Sequence, residues 1–173
     1  SQDHYYGDLS HISFEKREKN NFDAPAAVDL DLLYSHIKQL SKGESISRPI
    51  YDFISHTRKE GQFEVYSKPI LIFDGIFCLY DKRIRSLFDL CLYIQVEDDL
   101  RLIRRLQRDL NERGRSLTSI IQQYLSTVRP MHNKYIQPTA AHADFVINWD
   151  DYNYPAISKL ADYISKEVLT QTA

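Results

Sequence analysis

Glycine is scarce and scattered in this sequence: the 173 residues hold five, Gly7, Gly43, Gly61, Gly75 and Gly114, each isolated from the others. These residues therefore contain no G-x-x-x-x-G-K-[ST] stretch, the motif whose backbone amides cradle phosphates. Cysteine is scarcer still. Cys78 and Cys91 lack metal-ligand spacing and sit in apolar runs, which argues against a disulfide framework or a zinc site and predicts two buried free thiols in a reducing compartment. No apolar run reaches membrane-spanning length, and the opening "SQDHYYGD" has neither the basic nor the apolar region of a signal peptide. A soluble, cytoplasmic protein is expected. An excess of charge of one sign is missing too: 22 Lys and Arg against 24 Asp and Glu give a formal net charge of −2, which weakens any nucleic-acid-binding reading. What is abundant is apolar and aromatic content, 43% and 12%, enough for one core of ordinary size, so residues 1–173 are expected to form a single domain.

Along the chain, helical and extended patterns alternate, the sign of an α/β fold. Leu30, Leu33, Ile37 and Leu40 recur at helical spacing between Asp29, a candidate N-cap, and Gly43, a candidate terminator. "SRPIYDFISH" and "GQFEVYS" are β-rich and separated by the polar "TRKEG", which predicts a hairpin flap over about 47–67. "PILIFDG", "LCLYIQV" and "ADFVINW" are apolar nearly throughout, as strands of a parallel sheet covered on both faces usually are. A closing amphipathic helix is expected from Pro155 to Leu169, with Ile157, Leu160, Ala161, Ile164 and Val168 on one side.

The stretch "RRLQRDLNERGR", Arg104 to Arg115, holds five arginines in twelve residues. On the helix following "LCLYIQVEDD", Arg101, Arg104, Arg105 and Arg108 fall on one face and Ile103, Leu106 and Leu110 on the opposite one. Gly114 is expected to break the helix and Ser116 to cap the next, which leaves Arg113 and Arg115 on a hinge or lid over about 108–118. One reading is a solvated, salt-bridged face partly neutralised by Asp98, Asp99, Asp109 and Glu112. The other is a set of mobile guanidiniums that close over phosphates.

Carboxylates supply a second group of candidates. Asp74 ends the apolar "PILIFDG", and an acidic residue at the carboxyl end of a parallel strand faces the crevice where α/β sheets bind ligands, where it would hold Mg²⁺ directly or through water. Asp-Gly is equally ordinary turn chemistry. Asp3, close to Tyr5 and Tyr6, and Asp23, in a loop before a helix, are placed to accept protons or hydrogen bonds from a polyol; helix capping would serve Asp23 as well.

Together these segments resemble the uridine–cytidine kinases of the phosphoribulokinase/uridine kinase group. The resemblance rests on "SQDHYY", "NFDAPAAVD", "PIYDFISHTR", "DGI", "RRLQRDLNERGRS", "QYLSTVRPMHNKYIQPT" and "ADFVI", in that order, and covers nearly the whole chain. It implies a P-loop kinase-type parallel sheet flanked by helices, with a β-hairpin flap and an arginine-rich lid. It further implies phosphorylation of the 5′-hydroxyl of uridine or cytidine by ATP with Mg²⁺, in a cytoplasmic homo-oligomer, often a tetramer, under feedback control by pyrimidine nucleoside triphosphates.

By this resemblance Asp3 is the base that takes the ribose proton and, with Asp74, a metal contact. Tyr6 and Asp23 hold the nucleoside, with Asp23 on the ribose hydroxyls. Tyr51, Phe53 and His56 surround the pyrimidine, Arg105 and Gln123 lie near the acceptor, and Arg108, Arg113 and Arg115 meet the phosphates. In the family, a first strand and the P-loop precede the segment matching "SQDHYY"; these residues contain neither, so the 173-residue chain is expected to be an inactive fragment. Asp74-Gly75 stands where the family usually has Glu-Gly, and "NWDDYNYP" stands where it has a Pro-Arg-Gly-like loop near adenine. The alternatives are a non-catalytic nucleoside-binding or regulatory module of the same fold and a kinase for another small hydroxylated acceptor. A nucleic-acid-binding role ranks last.

Overall fold

A computed structural model describes residues 1–171, with side chains described through residue 167. The chain divides into two compact units, Ser1–Asp89 with Pro130–His142 and Leu90–Arg129 with Ala143–Ala173.

In the first unit, a 3₁₀ turn, Gln2–Tyr5, precedes the short helix α1 (Phe14–Glu18) and helix α2 (Leu30–Ser41). Helix α2 forms for the reasons legible in its sequence. The Asp29 carboxylate accepts from the Leu32 amide at 3.0 Å, Leu33, Ile37 and Leu40 are buried at helical spacing, and Gly43 turns the chain with φ +85°. Leu33 and Ile37 pack with Tyr5, Val28, Phe77 and Ile84 into the core of this unit. Ile84 is supplied by the single-turn helix α3 (Lys82–Arg85). Tyr135 and Ile136, from the returning segment, pack against that core.

Strands β1 (Ile46–Asp52) and β2 (Thr57–Val65) form an antiparallel hairpin with a register shift between Pro49 and Ile50. Its turn differs from the one expected. The chain reverses at residues 53–56, where the Asp52 carboxylate accepts from the Ile54 amide at 3.0 Å and His56 adopts φ +54°. "TRKEG" runs inside β2 instead, because a side-chain-stabilised Asx turn competes better than polarity alone.

A second correction concerns "PILIFDG", which forms no strand and joins no ladder among the described residues, and Ile72 is 81% exposed. Apolar content favours a strand only where a neighbouring strand supplies hydrogen bonds. Here the Asp74 carbonyl receives one such bond, from the Gln2 amide at 2.8 Å.

The second unit holds the parallel pair β3 (Leu92–Gln95) and β4 (Phe145–Asn148), in register Leu92 to Phe145 through Gln95 to Asn148. Helix α4 (Asp98–Asn111) follows β3, and α5 (Leu117–Gln123) continues into a wider π turn, Tyr124–Val128; the single turn α6 (Arg129–Met131) begins at the last residue of the segment Leu90–Arg129 and runs into the first unit. Ser116 caps α5 by accepting from the Ser119 amide at 3.2 Å, and Gly114 takes φ +62° just before it, as the sequence suggests. Helix α7 (Tyr154–Gln171) packs Tyr163 edge-on against Phe145 of β4 at 6.1 Å. Its expected apolar face is only half covered: Leu160 and Ile164 are half-buried, Ile157 and Ala161 are exposed, and Val168 lies outside the described residues.

The faces of α4 also differ from expectation. Ile103 and Leu110 are exposed, whereas the one fully buried residue of the helix is Asp109, because the guanidinium side folds onto an internal ion network.

Candidate active site

The residues singled out in the sequence sort cleanly between the two units. Asp3, Tyr6, Asp23, Tyr51, Phe53, His56 and Asp74 lie in the first; Arg105, Arg108, Arg113, Arg115 and Gln123 lie in the second.

In the first unit the hairpin is fastened over the Tyr5–Tyr6 segment by Arg58. Its Nε donates to the Tyr6 carbonyl at 2.9 Å, and its Nη2 meets the α2 cap Asp29 at 3.2 Å. Arg17 holds the hairpin tip, donating to the Ser55 carbonyl at 3.0 Å and to the Ile12 carbonyl at 2.8 Å. The result is a continuous aromatic cluster. Tyr6 lies 5.2 Å from Tyr51, Tyr51 lies 5.2 Å from Phe53, and Tyr6 lies 5.8 Å from Phe22. Phe22 stacks on the His56 imidazole at 4.9 Å with 21° between planes, and Phe14 stacks on the same imidazole at 6.2 Å.

Sequence reasoning overlooked Phe22 and Phe14. The signal for Phe22 was its place beside Asp23 in "NFDAP"; for Phe14 only the fold brings it near the hairpin tip. Asp23 is half-buried next to Phe22, its amide turned onto the Asn21 side chain at 3.1 Å. Burial raises the Tyr51 phenol to a pKa of about 12, and its buried hydroxyl has no protein hydrogen-bond partner among the described residues. A buried donor normally finds a partner, so this hydroxyl suits a polar ligand edge.

The charges of Asp3 and Asp74 both act on the His4 imidazole. Burial, then the Arg48 charge, hold His4 below the ordinary histidine range, while both carboxylates push it the other way. The Asp74 side chain is 74% exposed, with Ser1 Oγ donating to it at 3.0 Å. The Asp74 backbone carbonyl accepts from the amide of Gln2, a buried residue whose side-chain oxygen accepts the Phe77 amide at 2.8 Å. Among the described residues no group of three or more His, Cys, Asp or Glu closes round a metal. Mg²⁺ retains waters and phosphate oxygens and needs only one or two carboxylates, and the exposed Asp74 carboxylate is a donor of that kind.

In the second unit the arginines gather round the end of α4. Asp109 is ion-paired to Arg108 at 2.8 Å, Arg113 at 3.5 Å, Arg105 at 3.6 Å and Arg115 at 3.7 Å. The Gln123 side-chain oxygen accepts from Arg105 at 2.9 Å and from Arg115 at 2.5 Å. Arg104 is used differently: it donates to the carbonyls of Trp149 and Asp150 at 3.0 and 2.8 Å, bracing the loop after β4. Arg101 pairs with Asp98. An open groove of about 410 Å³ between α4 and α5 is lined chiefly by Leu102, Leu106, Ile121 and Leu125, and none of the predicted site residues lines it.

Both cysteines are free and buried, as expected, and burial drives the Cys78 thiol up to about 12, so it is inert at neutral pH. No helix among the described residues is long and apolar enough to cross a membrane.

The chain matches the Phosphoribulokinase / Uridine kinase family over residues 3–153. It is 46% identical over 170 residues to a uridine kinase of Clostridium novyi (strain NT), covering 98% of this chain and 81% of the relative. With a uridine kinase of Bacillus subtilis (strain 168) the identity is 46% over 172 residues, covering 99% and 81%. A solved structure from Silicibacter sp. TM1040, named as a fructose transport system kinase, superposes with a TM-score of 0.65 at 19% identity, over 86% of this chain and 72% of that one. That likeness speaks to the fold alone. The chain belongs to the phosphoribulokinase/uridine kinase family.

Proposed function

We propose that the chain carries the acceptor-binding and lid elements of a kinase that moves the γ-phosphoryl group of ATP to the 5′-hydroxyl of uridine or cytidine, giving UMP or CMP. The observation that carries this reading is the aromatic cluster of Tyr6, Phe22, Tyr51, Phe53 and His56 together with the buried, unsatisfied Tyr51 hydroxyl. Flat aromatic faces accept a pyrimidine by stacking, and the hydroxyl and imidazole supply polar contacts to its edge.

In this reading Asp3 takes the proton from the ribose 5′-hydroxyl, and Asp23 accepts hydrogen bonds from the other ribose hydroxyls. Tyr6 closes one side of the base. Arg108, Arg113 and Arg115 donate to phosphate oxygens, and Arg105 and Gln123 orient the acceptor. Charge stabilisation and positioning account for nearly all the protein's contribution to phosphoryl transfer. Mg²⁺, when bound, neutralises charge on the phosphate oxygens, and Asp74 and Asp3 are the residues that would hold it.

Within these 173 residues no G-x-x-x-x-G-K-[ST] stretch occurs, so for this polypeptide we propose nucleoside binding without appreciable turnover. Calorimetric titration with uridine, cytidine and adenosine tests the reading. Saturable binding of the two pyrimidine nucleosides with clear discrimination against adenosine is expected. Equal affinity for adenosine, or no binding of any of the three, would sink it; rapid phosphorylation of uridine by the 173-residue chain would sink the turnover clause alone.

A further inference from the structure

Asp109 is the one fully buried residue of α4, at 0% exposure, and it carries a charge. Its two oxygens are used unequally. Oδ1 accepts from Arg108 Nε at 2.8 Å and also faces Arg113. Oδ2 faces Arg105 and Arg115 at 3.6 and 3.7 Å, beyond hydrogen-bonding distance, and is left without a hydrogen bond. The backbone repeats the connection, because the Arg115 amide donates to the Asp109 carbonyl at 3.1 Å.

Four guanidiniums share this one carboxylate, more cations than a single ion pair requires. Like charges held this close repel one another, and an anion among them relieves that repulsion. The four also come from different places: two from the last turns of α4 and two from the loop containing Gly114. A single buried carboxylate is what unites helix and loop.

We propose that Asp109 is a positioning residue whose carboxylate gathers Arg105, Arg108, Arg113 and Arg115 into a preassembled receptor for a linear polyphosphate. This rests on the phosphate-binding role proposed above for the loop arginines. An array gathered in advance spares an arriving ligand the cost of ordering long side chains, and it favours a chain of phosphates over a single one, because several guanidiniums engage together.

The test compares inorganic tripolyphosphate with inorganic phosphate by calorimetry at fixed ionic strength, in wild type and Asp109→Asn, with the full 173-residue chain. The readout is the ratio of the two affinities, which a general loss of folded protein would leave unmoved. The ratio is expected to fall about tenfold in Asp109→Asn, within the usual coupling of groups in one ion network. A ratio that stays the same or rises overturns the proposal, since the carboxylate would then be competing with phosphate. Wild type that binds tripolyphosphate no better than phosphate overturns both this inference and the phosphate reading it rests on.

If Asp109→Asn does not fold, Gln123→Leu decides. It removes the oxygen shared by Arg105 and Arg115 while keeping the Asp109 charge. A ratio within about threefold of wild type supports gathering by Asp109, and a tenfold loss transfers that role to Gln123 and overturns the proposal.

Discussion

Gly75→Ala should be among the most disruptive single-methyl changes in the first unit, and the structure says why. A Cβ at position 75 would lie 2.3 Å from Gln2 Cβ and 2.6 Å from Gln2 Oε1, and Gly75 sits at φ +154°, which side-chain-bearing residues rarely adopt. Over-packing costs about 1–3 kcal/mol and the backbone conformation about 1–3 kcal/mol more. If Gln2 is pushed aside, the buried Phe77 amide loses its acceptor, which adds about 1–3 kcal/mol. Because the chain can relax around part of the clash, a total near 3–5 kcal/mol is expected, read as the shift in urea unfolding midpoint at unchanged m-value. A double-mutant cycle isolates the steric part. Gln2→Gly removes the very Cβ that the added methyl would meet, so Gly75→Ala on that background should cost only the backbone part, about 1–3 kcal/mol. Additivity of the two changes to within about 0.5 kcal/mol would refute the steric account.

Tyr51→Phe should separate stability from binding. Losing a buried hydroxyl that has no protein partner leaves thermal stability equal or higher, while uridine affinity falls about 2–10-fold; a variant that binds uridine as wild type does would remove Tyr51 from the proposed base contacts. Acid should destabilise the first unit before carboxylates begin to protonate. Burial holds His36, and burial with Arg48 holds His4, below the ordinary value of 6.5, so the unfolded chain binds protons more readily than the folded one. Stability is therefore full above about pH 6.5 and declines as pH falls towards the depressed folded values, and urea midpoints that stay flat from pH 7.5 to 5.5 would contradict this.

Local rules account for much of what the sequence made legible. The cap at Asp29, the buried row Leu33, Ile37 and Leu40, the break at Gly114 and the cap at Ser116 each depend on residues within a turn or two of one another, and the structure shows all of them. Family motifs carried the candidate residues further than spacing did, because "YDFISH" is needed to single out Tyr51, Phe53 and His56 from a merely β-rich stretch. What stayed hidden depends on partners distant in the chain. The stacking of Phe14 on His56 joins residues 42 positions apart, and the fit of Gly75 against Gln2 joins residues 73 apart. Nothing in the apolar run "PILIFDG" says whether a neighbouring strand lies beside it, so the expectation of a third strand failed for want of hydrogen-bonding partners rather than for want of β-propensity.

The arginine stretch separates in the structure into two groups. A salt-bridged helix face and a phosphate-facing lid predict different uses for the same residue type, and one group has the structural use. Arg101 and Arg104 hold Asp98 and the carbonyls after β4, as a structural face would. Arg105, Arg108, Arg113 and Arg115 share one buried carboxylate, and an ion pair needs one cation, not four. Had the cluster evolved only to stabilise the helix end, replacing a buried ionic network by apolar packing would serve as well or better. Four guanidiniums held by Gln123 and Asp109 repel one another, and an anion arriving among them would offset that repulsion.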